Sequence, residues 1–320
     1  MEKVLFKEED LSFDKEWGEH KAIHEWWYAT GILQDDDKNL YTFQFTIVAN
    51  NMIILKPWTI MLAITNFKDN EHLFYQKNSL YRKEIQLTDS KIEMNGSYCS
   101  RSEQGMNFKG IGENFSYALN CEFTKDLIWH GDKGILQMGT DSSRDRSYYC
   151  SITNMATRGF LTIDHKKIPV KGLTWFDKQG GPFNLFSTKT HWEWFSLRFY
   201  DGEEIMLFHY PNHRPSCDGT YILKNGESKR VQDYVVKPLE FMTAHDLKFS
   251  SSWSVEIPGI KEEYYEIVPM MKGQLNLYYF ENLCRILNAE GTEVGLCFTE
   301  LLPGVYNEHI PLTGLLEDFK

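Results

Sequence analysis

The stretch 192–208, WEWFSLRFYDGEEIMLF, holds two runs of apolar and aromatic residues separated by a polar turn. Both runs are rich in residues that favour β-structure, and the first alternates with the period of two that is typical of a strand. Asp201-Gly202 lies between the runs, and this dipeptide favours the tight turn of a β-hairpin. The segment therefore predicts a pair of antiparallel strands.

The same pattern recurs along the chain. Strand-like runs occur at 40–48 (LYTFQFTIV), at 160–163 (FLTI) and at 168–176 (IPVKGLTWF). Clusters of turn-forming residues separate these runs, as they do in β-sandwiches and β-barrels but not in alternating β and α units. The sequence therefore predicts an all-β protein, with less than about a fifth of its residues in helices.

Segment 278–291, YYFENLCRILNAEG, departs from this pattern. Its apolar residues Phe280, Leu283, Cys284 and Leu287 have the spacing of one helix face. Periodicity alone supports a short helix and a strand equally at this place.

The length of 320 residues fits two domains, because about 150 residues per domain is usual. Segment 178–191, KQGGPFNLFSTKTH, combines Gly-Gly-Pro with small polar residues between two strand-like runs. Such a composition is typical of a domain boundary. We therefore predict an N-terminal domain at 1–185 and a C-terminal domain at 186–320.

Composition excludes several classes of partner. A net charge of −11 and a pI near 5.4 argue against nucleic acid and against a surface held on anionic lipid. No stretch has the form of a signal sequence or the roughly 18 apolar residues of a membrane span. We therefore predict a cytoplasmic protein with a small-molecule partner.

The sequence offers no established cofactor motif. Its six cysteines are scattered without a C-x-x-C pair, which predicts buried thiols and neither a zinc site nor a redox dithiol. It also lacks a G-x-S-x-G elbow, a Walker A loop and an H-E-x-x-H motif. We therefore predict neither a metal nor a cofactor.

Carboxylates embedded in aromatic runs remain as candidates for chemistry. In GLTWFDKQGG (172–181), a strand places Trp175 and Asp177 on one face, and Gly180-Gly181 predicts a turn immediately afterwards. Reactive groups are often placed where a rigid strand meets a loop. This position favours a functional role for Asp177.

Two further strands carry an acid beside aromatic rings. In HEWWY (24–28), Glu25 and Trp27 share one face, and Trp26 and Tyr28 share the other. In the hairpin at 192–208, a glutamate at 193 likewise lies on the face opposite the two tryptophans. For these two glutamates, a solvent-exposed position at a strand end is as well supported as a functional role.

Four motifs, in this order, resemble those of the carotenoid 1,2-hydratase (hydroxyneurosporene synthase) family of two-domain lipocalin-like proteins. That family also includes kievitone hydratase-like enzymes and fungal Diels–Alderases. The motifs are HEWWYATGIL (24–33), the segment 147–181 from SYYC to DKQGG, the hairpin at 192–208, and YFENLCRILNAEGTEVGLCFTELLPG (279–304). The resemblance covers nearly the whole chain.

The resemblance implies an N-terminal β-sandwich or open barrel, a C-terminal β-barrel, and an apolar pocket where the two domains meet. It places Asp177 at the family's candidate proton donor, and we add Glu25 and Glu193 as further catalytic candidates. A histidine follows this aspartate in many members, whereas this chain has a lysine. The candidate substrate-binding residues are Trp26, Trp27, Tyr28, Tyr149, Trp175, Lys178, Trp192, Trp194, Glu281 and Glu300.

A carboxylic acid beside indole and phenol rings suits the protonation of an apolar, unsaturated molecule, because burial raises a carboxyl pKa. The hypothesis is a lyase (hydro-lyase), cyclase or isomerase of secondary metabolism that acts on a terpenoid, carotenoid-like, polyene or polyketide-like substrate. Two alternatives stay open. One is a pericyclase that shapes its substrate, and the other is a lipocalin-like protein that binds apolar ligands without catalysis.

Overall fold

Residues His24–Gln34 form strand β1, which pairs along its length with β2 (Leu40–Ala49) and β13 (Lys166–Gly181). The computed structural model describes residues 11–20, 23–50, 56–211 and 218–310. The antiparallel N-terminal sheet has 13 strands, and its main path runs β4-β3-β2-β1-β13-β12-β9-β8-β7-β6-β5. Its other strands are β3 (Trp58–Asn66), β4 (Glu71–Ser79), β5 (Ile85–Thr88), β6 (Lys91–Met94), β7 (Ser97–Arg101), β8 (Gly105–Ile111), β9 (Phe115–Phe123), β10 (Ile128–Trp129), β11 (Ile135–Gln137) and β12 (Arg146–Ile163).

A second antiparallel sheet of 10 strands follows, with the main order β17-β16-β15-β14-β23-β22-β20-β19-β18. Its strands are β14 (Glu193–Phe199), β15 (Glu204–His209), β16 (Asp218–Ile222), β17 (Ser228–Val231), β18 (Val235–Ala244), β19 (Leu247–Glu256), β20 (Tyr264–Pro269), β21 (Leu275–Asn276), β22 (Tyr279–Leu287) and β23 (Glu293–Leu301). Helical segments in the described residues are α1 (Phe13–Trp17) and 3-10 turns at Arg82–Glu84, Thr188–Thr190 and Pro303–Val305. Each sheet curls into a half-barrel, which confirms the all-β, two-domain lipocalin-like prediction.

The hairpin at 192–208 has the predicted form. Strands β14 and β15 are antiparallel, with Arg198 opposite Glu204, and Gly202 in the turn has a φ of +93°. Segment 278–291 is mostly strand β22 and not helix. Its apolar residues occupy both faces of the strand because both faces are buried, and this produced the helix-like spacing.

The turn predicted at Gly180-Gly181 is wrong, because β13 continues to Gly181 and Asp177 lies inside the strand. These glycines serve close packing. A Cβ at Gly180 would lie 2.7 Å from the Cβ of Glu25 and 2.8 Å from the hydroxyl oxygen of Tyr148. The change from one sheet to the other falls after Gly181 and before Glu193, and the domain limits 1–185 and 186–320 stay a prediction.

Three apolar clusters divide the core. One fills the N-terminal half-barrel around Trp27, Phe43 and Phe176, and a second fills the C-terminal one around Phe195 and Trp253. The third cluster includes Tyr28, Trp175, Trp194, Leu283 and Phe298, which come from both sheets. The outer faces of the two sheets therefore pack against each other. Five cysteines are buried and free, as predicted, and Cys217 lies outside the described residues.

Candidate functional site

A cleft with a volume of about 520 Å³ lies between the two domains. One wall is the outer face of β1–β4, where side chains such as Trp26, Tyr28 and Met61 alternate with residues that fill the N-terminal core. The opposite wall comes from segments 185–192, 276–279 and 300–310. A largely apolar cleft of this size at a domain interface is the usual form of a site for a small molecule.

Two carboxyl groups lie together at this cleft. Glu281 on β22 and Glu300 on β23 are cross-strand partners, and alternation turns both side chains toward the N-terminal domain. The hydroxyl of Tyr28 donates to Glu281 at 2.9 Å, and the indole nitrogen of Trp192 donates to Glu300 at 2.6 Å. Of the two carboxyls, Glu300 lines the cleft.

Burial changes the protonation of this pair. It raises the pKa of Glu300 to about 7, although the hydrogen bond from Trp192 lowers it. Burial, together with the charge of Glu300, raises the pKa of Glu281 well above its usual range. Two carboxyls in one buried site cannot both ionise readily. The pair therefore retains a proton at neutral pH.

Behind the carboxyl pair, Gln44 connects the two domains. Its amide nitrogen donates to the hydroxyl of Tyr279 at 2.8 Å and to Glu281 at 3.5 Å. The amide nitrogen of Asn276 in turn donates to the side-chain oxygen of Gln44. These contacts fix the inner end of the cleft.

Asp177 lies in the domain interface but is not one of the residues that line the cleft. Its carboxylate accepts hydrogen bonds from Ser151 and, at 2.6 Å, from the indole of Trp175, which confirms that Trp175 and Asp177 share a face. Burial raises the pKa of Asp177 to about 7, although these hydrogen bonds lower it. His130 bonds to Ser151 at 2.7 Å, and burial lowers the pKa of His130 to about 3, so this imidazole is neutral.

Other predicted aromatic residues support this interior region. Trp194 donates to the hydroxyl of Tyr149 at 3.1 Å, and both side chains are buried. The guanidinium of Arg198 is buried between two rings, 5.5 Å from the centre of Trp175 and 5.4 Å from that of Phe298. These residues belong to the packing behind the cleft.

Glu25 is not placed to act as an acid on a ligand in the cleft. Its side chain is fully buried on the opposite face of β1, where Lys178 bonds to it at 3.1 Å. Burial would raise the pKa of Glu25, but Lys178, His20 and Lys56 hold it well below its usual range. Lys178 is also fully buried and lies 3.9 Å from the ring centre of Trp27. Glu25, Trp27 and Lys178 therefore do not line the cleft, and the catalytic role of Glu25 and the substrate-binding roles of Trp27 and Lys178 stay predictions.

Glu193 also lies away from the cleft. It accepts a hydrogen bond from Ser250 and contacts the imidazole of His209 at 2.7 Å and the hydroxyl of Tyr306 at 3.3 Å. These partners hold its carboxylate on the inner face of the C-terminal domain. The predicted catalytic role of Glu193 has no support in this position.

The structure thus brings four of the predicted residues to the cleft, namely Trp26, Tyr28, Trp192 and Glu300, with Glu281 directly behind them. Sequence reasoning missed Gln44, Asn276, Leu277 and Tyr279. Gln44 did leave a signal, because it is a polar residue in the apolar run 40–48 and is 2% exposed. A polar side chain on an apolar strand indicates that this face of β2 packs against another part of the protein that supplies hydrogen-bond partners.

Within the described residues, no group of three or more His, Cys, Asp or Glu side chains is arranged to hold a metal ion. No helix in the same part of the chain has the length and apolar character to cross a membrane.

The AttH-like family model matches residues 5–304. A protein assigned as AttH from Nitrosomonas europaea has 19% identity and a TM-score of 0.80, with 92% of this chain and 97% of that chain covered. Kievitone hydratase from Nectria haematococca has 14% identity and a TM-score of 0.75, with 93% and 94% covered. CghA with Sch210972 has 9% identity and a TM-score of 0.51, with 89% of each chain covered. These neighbours confirm the resemblance to the two-domain lipocalin-like family, and a search of curated proteins finds no significant match.

Proposed function

The chain belongs to the AttH-like family, and from this premise we propose that it is an acid-catalysed hydratase, cyclase or isomerase. Its substrate is an apolar, unsaturated small molecule of the terpenoid, polyene or polyketide class, which binds in the cleft between the domains. The reaction uses side chains only. Two structural neighbours support enzymatic activity. One is kievitone hydratase, and the other is CghA, a Diels–Alderase.

One observation carries the proposal. Glu300 is the carboxyl of the buried pair that lines the cleft, and burial raises its pKa to about 7. A general acid works best when its pKa lies near the working pH, because it is then both protonated and able to release its proton. Behind Glu300, the hydroxyl of Tyr28 donates to Glu281 and fixes the position of that second carboxyl.

The proposed chemistry begins at a carbon–carbon double bond of the substrate. Its electron pair takes the proton of Glu300, so one carbon gains a C–H bond and the other becomes a carbocation. Water can add to the cation and return a proton to the Glu300 carboxylate, which completes a hydration. Loss of a proton from a neighbouring carbon to the Glu300 carboxylate gives an isomer, and attack by an internal hydroxyl that passes its proton to this carboxylate gives a ring.

Aromatic rings at the cleft suit this intermediate. Trp26 and Trp192 both line the cleft, and their rings stack at 5.9 Å with an angle of 25° between them. Ring faces stabilise a nearby cation by about 0.5–2 kcal/mol. The same fixed walls also support the pericyclase alternative, since holding a polyene in a folded conformer needs shape and no proton donor.

Solvent isotope labelling separates these readings. A thermal-shift screen of terpenoids, polyenes and polyketide-like compounds first identifies ligands, and each ligand is then incubated with the protein to test for conversion. The conversion is then run in deuterium oxide, and the product is analysed by mass spectrometry and NMR. Acid catalysis places one deuterium on the carbon that gains hydrogen. A product without deuterium would establish the pericyclase, and a stable complex without any product would indicate a binding protein.

A further inference from the structure

A two-residue turn in the wall of the cleft carries an unusual residue. Strands β21 and β22 pair through Asn276 and Tyr279, so Leu277 and Tyr278 form the loop between them. Leu277 has a φ of +55°, in the left-handed region that favours glycine and asparagine. Two-residue hairpin turns that need a positive φ usually carry Gly, Asn or Asp at such a position. A leucine there strains the backbone.

Contacts on both sides of Leu277 maintain this conformation. Asn276 is fully buried, and its side chain bonds to Gln44 and, at 2.8 Å, to the imidazole of His72. The hydroxyl of Tyr279 accepts a hydrogen bond from Gln44 at 2.8 Å. Both residues that flank the loop are therefore tied to the N-terminal domain. Strained residues persist where the surroundings fix them, and they concentrate at functional sites.

Leu277 also lines the cleft, in the wall that faces strands β2–β4. A glycine would relax the turn, but it would leave this part of the wall without a side chain. We propose that Leu277 is a specificity-determining residue: its side chain contacts the bound substrate and limits the width of the cleft. This inference rests on the proposed function, because it assumes that the same cleft binds an apolar ligand.

The first test compares Leu277→Gly with Leu277→Ala. Both variants remove the side chain beyond Cβ, but only glycine relieves the positive φ. Leu277→Gly should therefore unfold at a higher temperature than Leu277→Ala, which reverses the usual order of glycine and alanine. An alanine variant that is as stable as the glycine variant would show that the turn is not strained.

The second test measures ligand binding by fluorescence with two named probes. Diphenylhexatriene is a thin rod, and Nile red has a broader fused-ring system. Both variants should bind diphenylhexatriene about tenfold more weakly than the wild type, since it loses contact with the half-buried leucine side chain in the cleft wall. Nile red should lose less than threefold, because its broader rings fill the vacated space. Unchanged affinity for both probes, or an equal loss for both, would overturn the proposal.

Lys38→Gly is the matched control. Lys38 has a φ of +67° in the turn between β1 and β2, and it does not line the cleft. The Lys38→Gly variant should change stability without changing the affinity for either probe.

The wild-type protein separates the two proposals. If the wild type binds neither probe, the cleft is not an apolar ligand site and the proposed function fails together with this inference. If it binds them and the variants bind equally well, only the role of Leu277 is wrong.

Discussion

Trp192 donates its indole hydrogen to Glu300 across 2.6 Å, and so couples an aromatic wall of the cleft to the carboxyl that we propose as the acid. This hydrogen bond lowers the pKa of Glu300, whereas burial raises it to about 7. The working pH range of the proposed reaction should therefore depend on an aromatic residue as well as on the proposed acid itself.

Trp192→Phe keeps an aromatic ring and removes the donor. The pKa of Glu300 should rise above about 7, so the high-pH limb of kcat/KM should move to higher pH by up to about one unit. The measurement is the pH profile of kcat/KM for the substrate found by screening. Trp26→Phe is the control, because Trp26 stacks on Trp192 and should leave this limb in place. A limb that moves to lower pH in Trp192→Phe would contradict the assignment of Glu300.

Asp177 should make stability depend on pH. Its pKa is about 7 in the folded protein and 3.8 in a model compound, so between these values the folded state keeps a proton that the unfolded chain releases. The contribution of Asp177 to stability is therefore present below about pH 4, is lost as the pH rises to about 7, and changes no further above that.

Asp177→Asn removes this titration. Relative to the wild type, the unfolding free energy of the variant should improve by about 2–3 kcal/mol between pH 5.0 and pH 7.5. Urea denaturation of both proteins at the two pH values gives the comparison, and other titrating groups cancel in the difference. A difference that does not vary with pH would show that Asp177 is ionised throughout this range.

The buried pair of Glu25 and Lys178 should serve stability and not chemistry. Glu25→Gln leaves the fully buried ammonium of Lys178 without its carboxylate, which should cost on the order of 3–5 kcal/mol of unfolding free energy. The double variant Glu25→Gln/Lys178→Met should recover most of that loss, because it also removes the uncompensated charge. A Glu25→Gln protein with normal stability and no turnover would instead make Glu25 a catalytic residue.

The alternation of residue types along each strand predicted the fold and the orientation of single side chains. The period of two in 192–208 and the Asp201-Gly202 turn gave the hairpin, and Trp175 and Asp177 do share a face. These features depend on neighbouring residues only, and a strand repeats every second residue whatever packs on it.

The carboxyl that we propose as the acid could not be identified in this way. Glu281 and Glu300 lie on consecutive strands, and only the register between β22 and β23 makes them partners. The pairing of Glu25 with Lys178 could not be predicted, because Lys178 comes from the paired strand β13, where it lies opposite Trp27. Gly180 was read as part of a turn, although it makes room for Glu25 and Tyr148. Each of these features depends on strand pairing and domain packing, which the alternation within one strand does not reveal.

The most direct test of the account compares the turnover of Glu300→Gln and Asp177→Asn. Both changes are nearly isosteric, and Glu308→Gln provides the control, since Glu308 is an exposed carboxyl that also lines the cleft. With the identified substrate, Glu300→Gln should lower kcat by roughly 10²–10⁴, the usual contribution of a general acid, while thermal shift shows that the ligand still binds. Asp177→Asn and Glu308→Gln should retain kcat within about tenfold of the wild type. A collapse of kcat in Asp177→Asn, with near-normal turnover in Glu300→Gln, would contradict the account and make Asp177 the proton donor.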